Sequence, residues 1–364
     1  MMVSDGFVFP GIATRVVFGR GTLAQTADEI ARLGHDGALV LSGPHHAADA
    51  EALAASLGAL SRGVFAQAAM HTPVEVTEAA VAAYRDSGAT CLVALGGGST
   101  IGLGKAIAVR TGADQIAIPT TYAGSEMTDI LGETAEGRKT TRRDPAIRPE
   151  TVIYDVDLTL TLPANMTVTS ALNAIAHGVE ALYASDRNPV MSLMALSAMD
   201  AFAAGLPVLR EAPQDSDARA QVLYGAWLCS TALGHSTMGL HHKLAHVIGG
   251  TFDTPHADTH AILLPYTAGF NAQAVPDLLA PVAAIFGGSV GGGLWDFARE
   301  NGAPLALRDL GLTEADLDRA ADLATQTPYA NPRPFDRADI RALLQAAWAG
   351  TRPDQTTTAH LREG

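Results

Sequence analysis

The segment Cys91-Leu-Val-Ala-Leu95, followed directly by Gly96-Gly97-Gly98-Ser99-Thr100, decides the fold of this chain. Five apolar residues in a row are typical of a strand that is buried on both faces of a parallel sheet. Glycines at the turn after such a strand let the backbone approach a pyrophosphate closely, and the following helix N-terminus supplies free N–H donors. The candidate cofactor contacts at this turn are Gly96, Gly97, Gly98, Ser99 and Thr100.

Two observations limit this interpretation. The glycines do not form the GxGxxG pattern of the common dinucleotide-binding fold, and a purely structural tight turn would use the same residues.

The helical segment that follows contains Gly104-Lys105, so Lys105 is a further candidate for contact with a phosphate.

Short apolar runs alternate with helical patterns through the first part of the chain, as in βαβ units on a mostly parallel sheet. The predicted strands are 38–41, 91–95, 116–118 and 152–154. From Asn165 onward the sequence becomes long helix-compatible stretches rich in Ala, Leu and Met, separated by turn residues. We therefore predict an α/β dinucleotide-binding domain at 1–162 and an all-α substrate and catalytic domain at 163–364.

A cluster of hydroxyl groups follows the predicted strand at 116–118, within the sequence PTTYAGSEMT at 119–128. Open α/β sheets bind ligands at the carboxyl ends of their strands, although helix capping is an alternative role for such hydroxyls. The candidates here are Thr120, Thr121, Ser125 and Thr128 for the cofactor and Tyr122 for the substrate. Lys139 follows in a segment predicted as a turn, and it is either a phosphate contact or a solvated lysine.

The strand at 38–41 ends in SGPHH at 42–46, with no Asp or Glu. An acid at this position would bind the adenosine ribose and repel a 2′-phosphate. We expect NADH as the cofactor, with NADPH left open, and Ser42 as one of its contacts.

The composition excludes several classes of partner. With 24 Lys and Arg against 38 Asp and Glu, the formal charge is −14, which disfavours nucleic acid and anionic membranes. Only two cysteines are present, too few for a disulfide framework or a thiolate metal site. No signal peptide or continuous apolar span is apparent, so we expect a cytoplasmic protein that acts on a small molecule.

Histidines are concentrated in the second half of the chain. Asn173 and His177 are four residues apart and share one helix face, and His242 and His246 repeat that spacing. A single histidine of this kind more often packs in a core or lies at the surface, but the group exceeds what composition alone would supply. The candidate catalytic residues are His177, His242, Lys243, His246 and His256, and the candidate substrate contacts are Asn173, His177, Lys243 and Arg333.

Three imidazoles could bind Zn²⁺ or Fe²⁺ if an anionic ligand completed the set. Asn173 is neutral and a poor ligand, so the set lacks the charge that stabilises a divalent cation. We predict a site without a metal, in which a protonated histidine or Lys243 stabilises developing negative charge.

Together these motifs resemble the iron-containing alcohol dehydrogenase superfamily over nearly the whole chain. The segments that carry the resemblance are 96–99, 119–121, 155–163, 174–180 and 254–256. The resemblance implies a dehydroquinate synthase-like fold, a nicotinamide cofactor and a homodimer. Metal-dependent members carry one Asp and three His, at the positions of Asn173, His177, His242 and His256.

Four further segments are similar to the maleylacetate reductase branch of that superfamily: 98–105, 120–128, 239–244 and 331–334. Gly102 stands where metal-dependent members usually carry Asp, which is a further mark of this branch. Ala245 is a departure, because many members of the branch carry Cys there. The branch implies NAD(P)H-dependent reduction of the enone of maleylacetate to 3-oxoadipate during aromatic degradation.

Maleylacetate carries two carboxylates, which need local cations in an acidic protein. Lys243 with Arg142 or Arg333 could provide them. Two alternatives remain open: a metal-dependent alcohol dehydrogenase or aldehyde reductase, and an NAD-binding protein without activity.

Overall fold

The computed structural model describes residues 6–135 and 138–353, and it leaves out the side chains of Arg138 and Lys139. The chain divides into two compact units. One is Gly11–Leu162, and the other contains residues 163–353 together with 6–10.

The first unit is built on a six-stranded sheet in which all neighbouring strands pair in parallel. The strands of the unit are β1 (Arg15–Gly19), β2 (Ala38–Leu41), β3 (Ser61–Phe65), β4 (Cys91–Gly96), β5 (Asp114–Pro119), β6 (Ile130–Ala135), β7 (Arg138–Arg143) and β8 (Thr151–Asp155). The order in the sheet is β1-β8-β5-β4-β2-β3, and β6 and β7 form a separate antiparallel hairpin.

Both faces of the sheet are buried, as the apolar run at 91–95 predicts. Cys91, Val93 and Leu95 contribute to one hydrophobic core, and Leu92 and Ala94 contribute to a second core on the opposite face. The helices of this unit are α1 (Thr26–Arg32), α2 (Ala47–Leu57), α3 (Val74–Ser87) and α4 (Gly98–Thr111). Residues of α1 and α2 pack into the first core, and residues of α3 and α4 pack into the second.

The second unit is helical throughout its described elements, which confirms the predicted fold class. Its helices are α5 (Ala164–Tyr183), α6 (Pro189–Glu211), α7 (Ser216–Gly234), α8 (Leu240–Phe252), α9 (His256–Ala272), α10 (Pro276–Phe286), α11 (Val290–Glu300), α12 (Asp316–Thr325) and α13 (Arg337–Ala349). Apolar side chains of α8, α9, α12 and α13 form one continuous core.

Two described stretches, Pro189–Glu211 and Pro276–Glu300, are long and apolar enough to cross a membrane by composition alone. Half of the first is buried inside the helical unit, as expected for a core helix. The second is interrupted at Gly287 and Gly288, both with positive φ, so it forms α10 and α11 instead of one helix.

The start of the chain differs from the predicted domain range 1–162. The described residues 6–10 belong to the helical unit because Phe9 packs against Ala181, Met191 and Ala232, and its ring lies 6.1 Å from that of His235.

Candidate active site

Three helices, α5, α8 and α9, bring four buried histidines together. The ring of His242 lies 5.0 Å from the ring of His177 and 5.0 Å from that of His260, and His241 lies 4.9 Å from His260. All four are less than a tenth exposed, and we call them the inner histidines. His177 and His242 were predicted as site residues, whereas His241 and His260 were not.

The outer edge of this cluster is formed by two exposed histidines that the sequence also predicted. The ring of His256 lies 4.4 Å from that of His260, and the ring of His246 lies 6.0 Å from that of His242. The cluster therefore extends from a closed interior to the surface of the helical unit.

A buried carboxylate, Glu180 on α5, holds His242 in place. Its Oε2 accepts a 2.6 Å hydrogen bond from Nδ1 of His242, and its oxygens accept the backbone N–H groups of Gly239, His241 and His242 at 3.1, 2.9 and 3.4 Å. The carboxylate thus lies at the N-terminus of α8, where the helix dipole favours negative charge. Burial alone would raise the pKa of Glu180, but the bond from His242, the neighbouring histidine charge and the backbone donors lower it to about 2.

A second chain of hydrogen bonds fixes the tautomers of His241 and His260. The Thr267 hydroxyl donates to the carbonyl of Leu263, so it accepts the bond from Nδ1 of His241 at 2.9 Å. Neutral His241 then offers only an Nε2 lone pair, which accepts from Nδ1 of His260 at 2.9 Å. With its proton on Nδ1, neutral His260 has an Nε2 that is an acceptor.

Burial and mutual repulsion keep three of the inner histidines neutral. Burial is the largest cause that lowers the pKa of His241, to about 3, and it also lowers the pKa values of His177 and His260 well below their ordinary range. The charges of neighbouring histidines act in the same direction.

Several buried polar atoms in this cluster have no hydrogen-bond partner among the described residues. They are Oδ1 of Asn173, Nδ1 of His177, Nε2 of His242 and Nε2 of His260. Buried polar groups without a partner are uncommon and costly, and they mark sites where a ligand completes the bonding. The four atoms come from the same three helices that gather the histidines.

In the α/β unit, the two predicted cofactor segments lie side by side. Gly96 ends β4 with φ 153°, and a Cβ there would lie 2.4 Å from Oγ1 of Thr100, so this position requires glycine. Gly97 has an ordinary φ of −81°, but a Cβ there would lie 3.2 Å from the side chain of Thr121. The N–H of Thr120 also donates to the carbonyl of Gly96 at 3.1 Å.

Both halves of the chain match known sequence families. Residues 13–156 match the model of iron-containing alcohol dehydrogenase, and residues 167–348 match the C-terminal model of the Fe-containing alcohol dehydrogenase family. The chain belongs to the iron-containing alcohol dehydrogenase family. This membership confirms the resemblance that the sequence motifs indicated.

Individual members of this family are similar over almost their whole length. The maleylacetate reductase of Rhizobium sp. strain MTP-10005 is 60% identical, covering 96% of this chain and 99% of its own. Maleylacetate reductase 1 of Rhodococcus opacus is 50% identical, with 97% and 99% covered. The crystal structure of maleylacetate reductase from Agrobacterium tumefaciens superposes with a TM-score of 0.94 at 58% identity, covering 96% and 100%.

The donors in this member of the family do not fit a divalent metal. Among the described residues, no three His, Cys, Asp or Glu side chains are grouped so that they could hold an ion. Asn173 offers a neutral amide oxygen, and the carboxylate of Glu180 is already engaged by three backbone N–H groups and by His242. His177 and His242 stack with their ring planes 29° apart instead of converging edge-on.

The predicted cofactor contacts separate into accessible and buried groups. Gly97, Gly98, Ser99, Thr121 and Ser125 are partly exposed and available to a ligand. Thr100, Thr120 and Ser42 are buried; Oγ1 of Thr120 lies 3.3 Å from Nε2 of His46, and Oγ of Ser42 has no partner among the described residues.

Lys105 is a correction to the predicted phosphate contacts. It is fully buried, and its ammonium donates to the carbonyls of Ser125 and Ile130 and to the hydroxyls of Ser125 and Thr128. Lys105 and Thr128 therefore hold the segment 125–130 in place instead of facing a ligand. Burial lowers the pKa of Lys105 to about 7, against the opposing charges of Glu126 and Asp129.

Three more predicted positions differ in the structure. Tyr122 is fully buried in the α/β unit, so it is not available as a substrate contact there. The segment around Lys139 was predicted as a turn but forms β7, and its side chain lies outside the described residues. Arg333 lies 3.9 Å from the Phe270 ring centroid and donates to Gln273 Oε1. Phe270 is ten residues, or about 15 Å, along α9 from His260, so these contacts of Arg333 lie at the other end of that helix.

Sequence reasoning missed the residues that orient the histidines. Glu180 is three residues after His177 and His260 four after His256, so helix spacing places each beside a predicted residue. That spacing was the available signal for both. The bonds of Glu180 to α8 and of His241 to α9 depend on helix packing, which spacing does not reveal.

Proposed function

We propose that this chain reduces the enone double bond of maleylacetate to 3-oxoadipate with NADH, using the inner histidines in place of a metal. The observation that carries the proposal is the buried Glu180–His242 pair, whose carboxylate shares helix α5 with the neutral and buried Asn173. The full-length similarity to enzymes named maleylacetate reductase supplies the substrate.

The reaction needs a group that stabilises negative charge away from the carbon that receives the hydride. Addition of hydride to the carbon β to the ketone places negative charge on the ketone oxygen, and a donor directed at that oxygen lowers the barrier. Oε2 of the ionised Glu180 lies 2.6 Å from Nδ1 of His242, so the carboxylate is placed to stabilise positive charge on that ring. A protonated His242 then has an Nε2–H to direct at the enolate oxygen and a proton to return to the α carbon.

The two sides of the cluster have different environments, which separates their roles. His242 is paired with a carboxylate, whereas His260 is bonded to the neutral His241–Thr267 chain. Two imidazoles held by such different partners can take different parts in a proton transfer. We assign His242 as the proton donor and His260 as a group that stays neutral.

Lys243 is the candidate partner for the negative charge of the substrate. It follows His242 on α8 and is partly exposed, and among the described residues its ammonium makes no salt bridge. In a protein with a net charge of −14, an unpaired cation directly after His242 on α8 favours a carboxylate substrate. We expect Lys243 to pair with one carboxylate of maleylacetate.

The cofactor belongs to the α/β unit in this proposal. The partly exposed Gly97, Gly98 and Ser99 at the N-terminus of α4 suit a pyrophosphate, and Thr121 borders the same turn. Because Ser42 follows β2 where an acid would repel a 2′-phosphate, we expect NADPH to be accepted as well. We further expect a homodimer, which light scattering of the purified protein would test.

The test follows NADH absorbance with freshly prepared maleylacetate and identifies the product. Consumption of NADH with formation of 3-oxoadipate is expected, with little activity on simple alcohols and aldehydes. The second candidate is the alcohol dehydrogenase reaction after which the family is named. Turnover of simple alcohols without reduction of maleylacetate would favour that reaction and contradict the proposal.

A further inference from the structure

Tyr329 carries a polar atom that none of the roles above uses. Its hydroxyl oxygen is buried and has no hydrogen-bond partner among the described residues. Burial, followed by the negative charge of Glu180, raises the pKa of Tyr329, so the hydroxyl keeps its proton and is a donor. A buried donor without an acceptor is costly, and a ligand that supplied an acceptor would remove that cost.

The segment 326–336, which joins α12 to α13 and which we call the strap, holds Tyr329 in place. Asn331 on the strap and Asn271 on α9 exchange two side-chain hydrogen bonds of 2.9 and 2.7 Å. Within the strap, the rings of Tyr329 and Phe335 pack 5.3 Å apart. The strap is therefore fixed to the same helix that carries His260.

The strap also lies against the N-terminus of α8. A Cβ at Gly239 would be 3.1 Å from the carbonyl oxygen of Ala330 and 3.3 Å from Oε1 of Glu180, so a side chain here would crowd both groups. The position of Tyr329 thus depends on the element that carries His242 and Lys243.

Lys243 is a cation that lies close to the Tyr329 ring. Its ammonium lies 5.9 Å from the centroid of the Tyr329 ring, at the outer limit of a cation–π contact. The Lys243 ammonium and the Tyr329 hydroxyl belong to neighbouring side chains. Among the described residues the hydroxyl has no hydrogen-bond partner and the ammonium makes no salt bridge, so the two are available as a pair of donors. A carboxylate, with two acceptor oxygens and a negative charge, satisfies both donors.

We propose that Tyr329 and Lys243 together bind one carboxylate of a dicarboxylate substrate, and that Tyr329 is a specificity-determining residue of this site. The inference rests on the proposed function, since it names the groups that recognise one end of maleylacetate. A hydrogen bond to a charged group contributes affinity in both the ground state and the transition state, so its loss raises KM and leaves kcat nearly unchanged.

The test compares Tyr329→Phe with Tyr266→Phe, which removes the hydroxyl of another buried tyrosine in the same unit. For Tyr329→Phe, the KM for maleylacetate is expected to rise by about ten- to a hundredfold, the loss of one bond to a charged group. The Tyr266→Phe control is expected to keep both constants. In the double variant with Lys243→Met, the two increases in KM are expected to be less than additive, because both side chains bind one carboxylate.

Calorimetry with adipate, in the presence of saturating NAD⁺, tests the same site without turnover. Adipate is expected to bind the wild type and Tyr266→Phe alike, and Tyr329→Phe at least about tenfold more weakly. Maleylacetate turnover with an unchanged KM in Tyr329→Phe, or adipate binding that is the same in all three proteins, would overturn this inference while the proposed function stood. Failure of the wild type to bind adipate would also overturn it. Tyr329-dependent adipate binding without any turnover of maleylacetate would instead overturn the proposed function.

Discussion

Replacement of Glu180 by Gln separates the charge of this side chain from its shape. The folded protein lowers the pKa of Glu180 from 4.5 to about 2, so its ionisation stabilises the fold above pH 4.5. That contribution is lost as the pH falls from 4.5 towards 2. At about 1.4 kcal/mol for each pKa unit, the stabilisation is on the order of 3 kcal/mol. We expect Glu180→Gln to have a lower free energy of unfolding at neutral pH. We also expect it to lack the fall in that free energy between pH 4.5 and pH 2.

The same change removes the anion that supports a proton on His242. The Gln amide can still accept from the backbone of α8, but it offers Nδ1 of His242 no negative charge. We therefore expect kcat for maleylacetate to fall on the order of 10² to 10³, the loss typical of one donor to a developing oxyanion. KM should change little, because Glu180 has no role in binding the carboxylates.

Urea unfolding between pH 2 and pH 7 measures the first effect, and steady-state oxidation of NADH measures the second. Glu29→Gln is a matched control, since Glu29 is also buried and its pKa is lowered by Arg32 and Arg15 against the opposing effect of burial. The control is expected to lose stability and to keep its kcat. If Glu180→Gln retained kcat within about a factor of two while folded, the assignment of His242 as the carboxylate-supported proton donor would be wrong.

Four further substitutions have distinct expected outcomes. Gly97→Val should abolish NADH binding measured by calorimetry while circular dichroism stays unchanged, because its side chain would meet Thr121 and fill the turn; unchanged affinity would refute the phosphate assignment. Asn173→Asp should raise the affinity for Zn²⁺ or Fe²⁺ in a competition assay, and no increase would show that charge is not what limits metal binding. His242→Ala and His256→Ala should each lower kcat on the order of 10² to 10³; His256→Ala should leave the melting temperature unchanged, since His256 is exposed. Normal kinetics in both would place the reaction elsewhere.

The central strands could be predicted from sequence because they are buried on both faces. The apolar runs at 38–41, 91–95, 116–118 and 152–154 correspond to β2, β4, β5 and β8, with ends that differ by at most two residues. The sheet-edge strands β1 and β3, RVVFG and SRGVF, have mixed sequences because they are only partly buried, so the same criterion missed them. The hairpin of β6 and β7 is rich in charged and hydroxyl residues, and for this reason the segment around Lys139 in β7 is predicted as a turn from the sequence.

The candidate site was predicted only where residues share one helix. Helix spacing placed His177 near Asn173 and His246 near His242, and the structure brings both helices together. The role of Glu180 depends instead on bonds to the backbone of α8, about sixty positions later in the chain. Periodicity within a helix carries no information about such bonds between helices.

Lys105 shows the opposite error, in which a plausible residue type suggested the wrong role. A lysine after a glycine turn is a common phosphate contact, but its position on α4 faces the interior of the unit. Its four acceptors lie on the segment 125–130. The sequence does not indicate that the Lys105 side chain points towards this segment. Residue type suggested the chemistry, and only packing determined the partner.

The central claim is that the histidine cluster performs the reduction without a metal. The most direct measurement is turnover of maleylacetate by protein that has been treated with a chelator, with the metal content of the same sample determined by mass spectrometry. The account predicts undiminished activity at far less than one transition metal per subunit. Stoichiometric iron or zinc in the untreated protein, with activity lost on its removal and restored by its return, would contradict it.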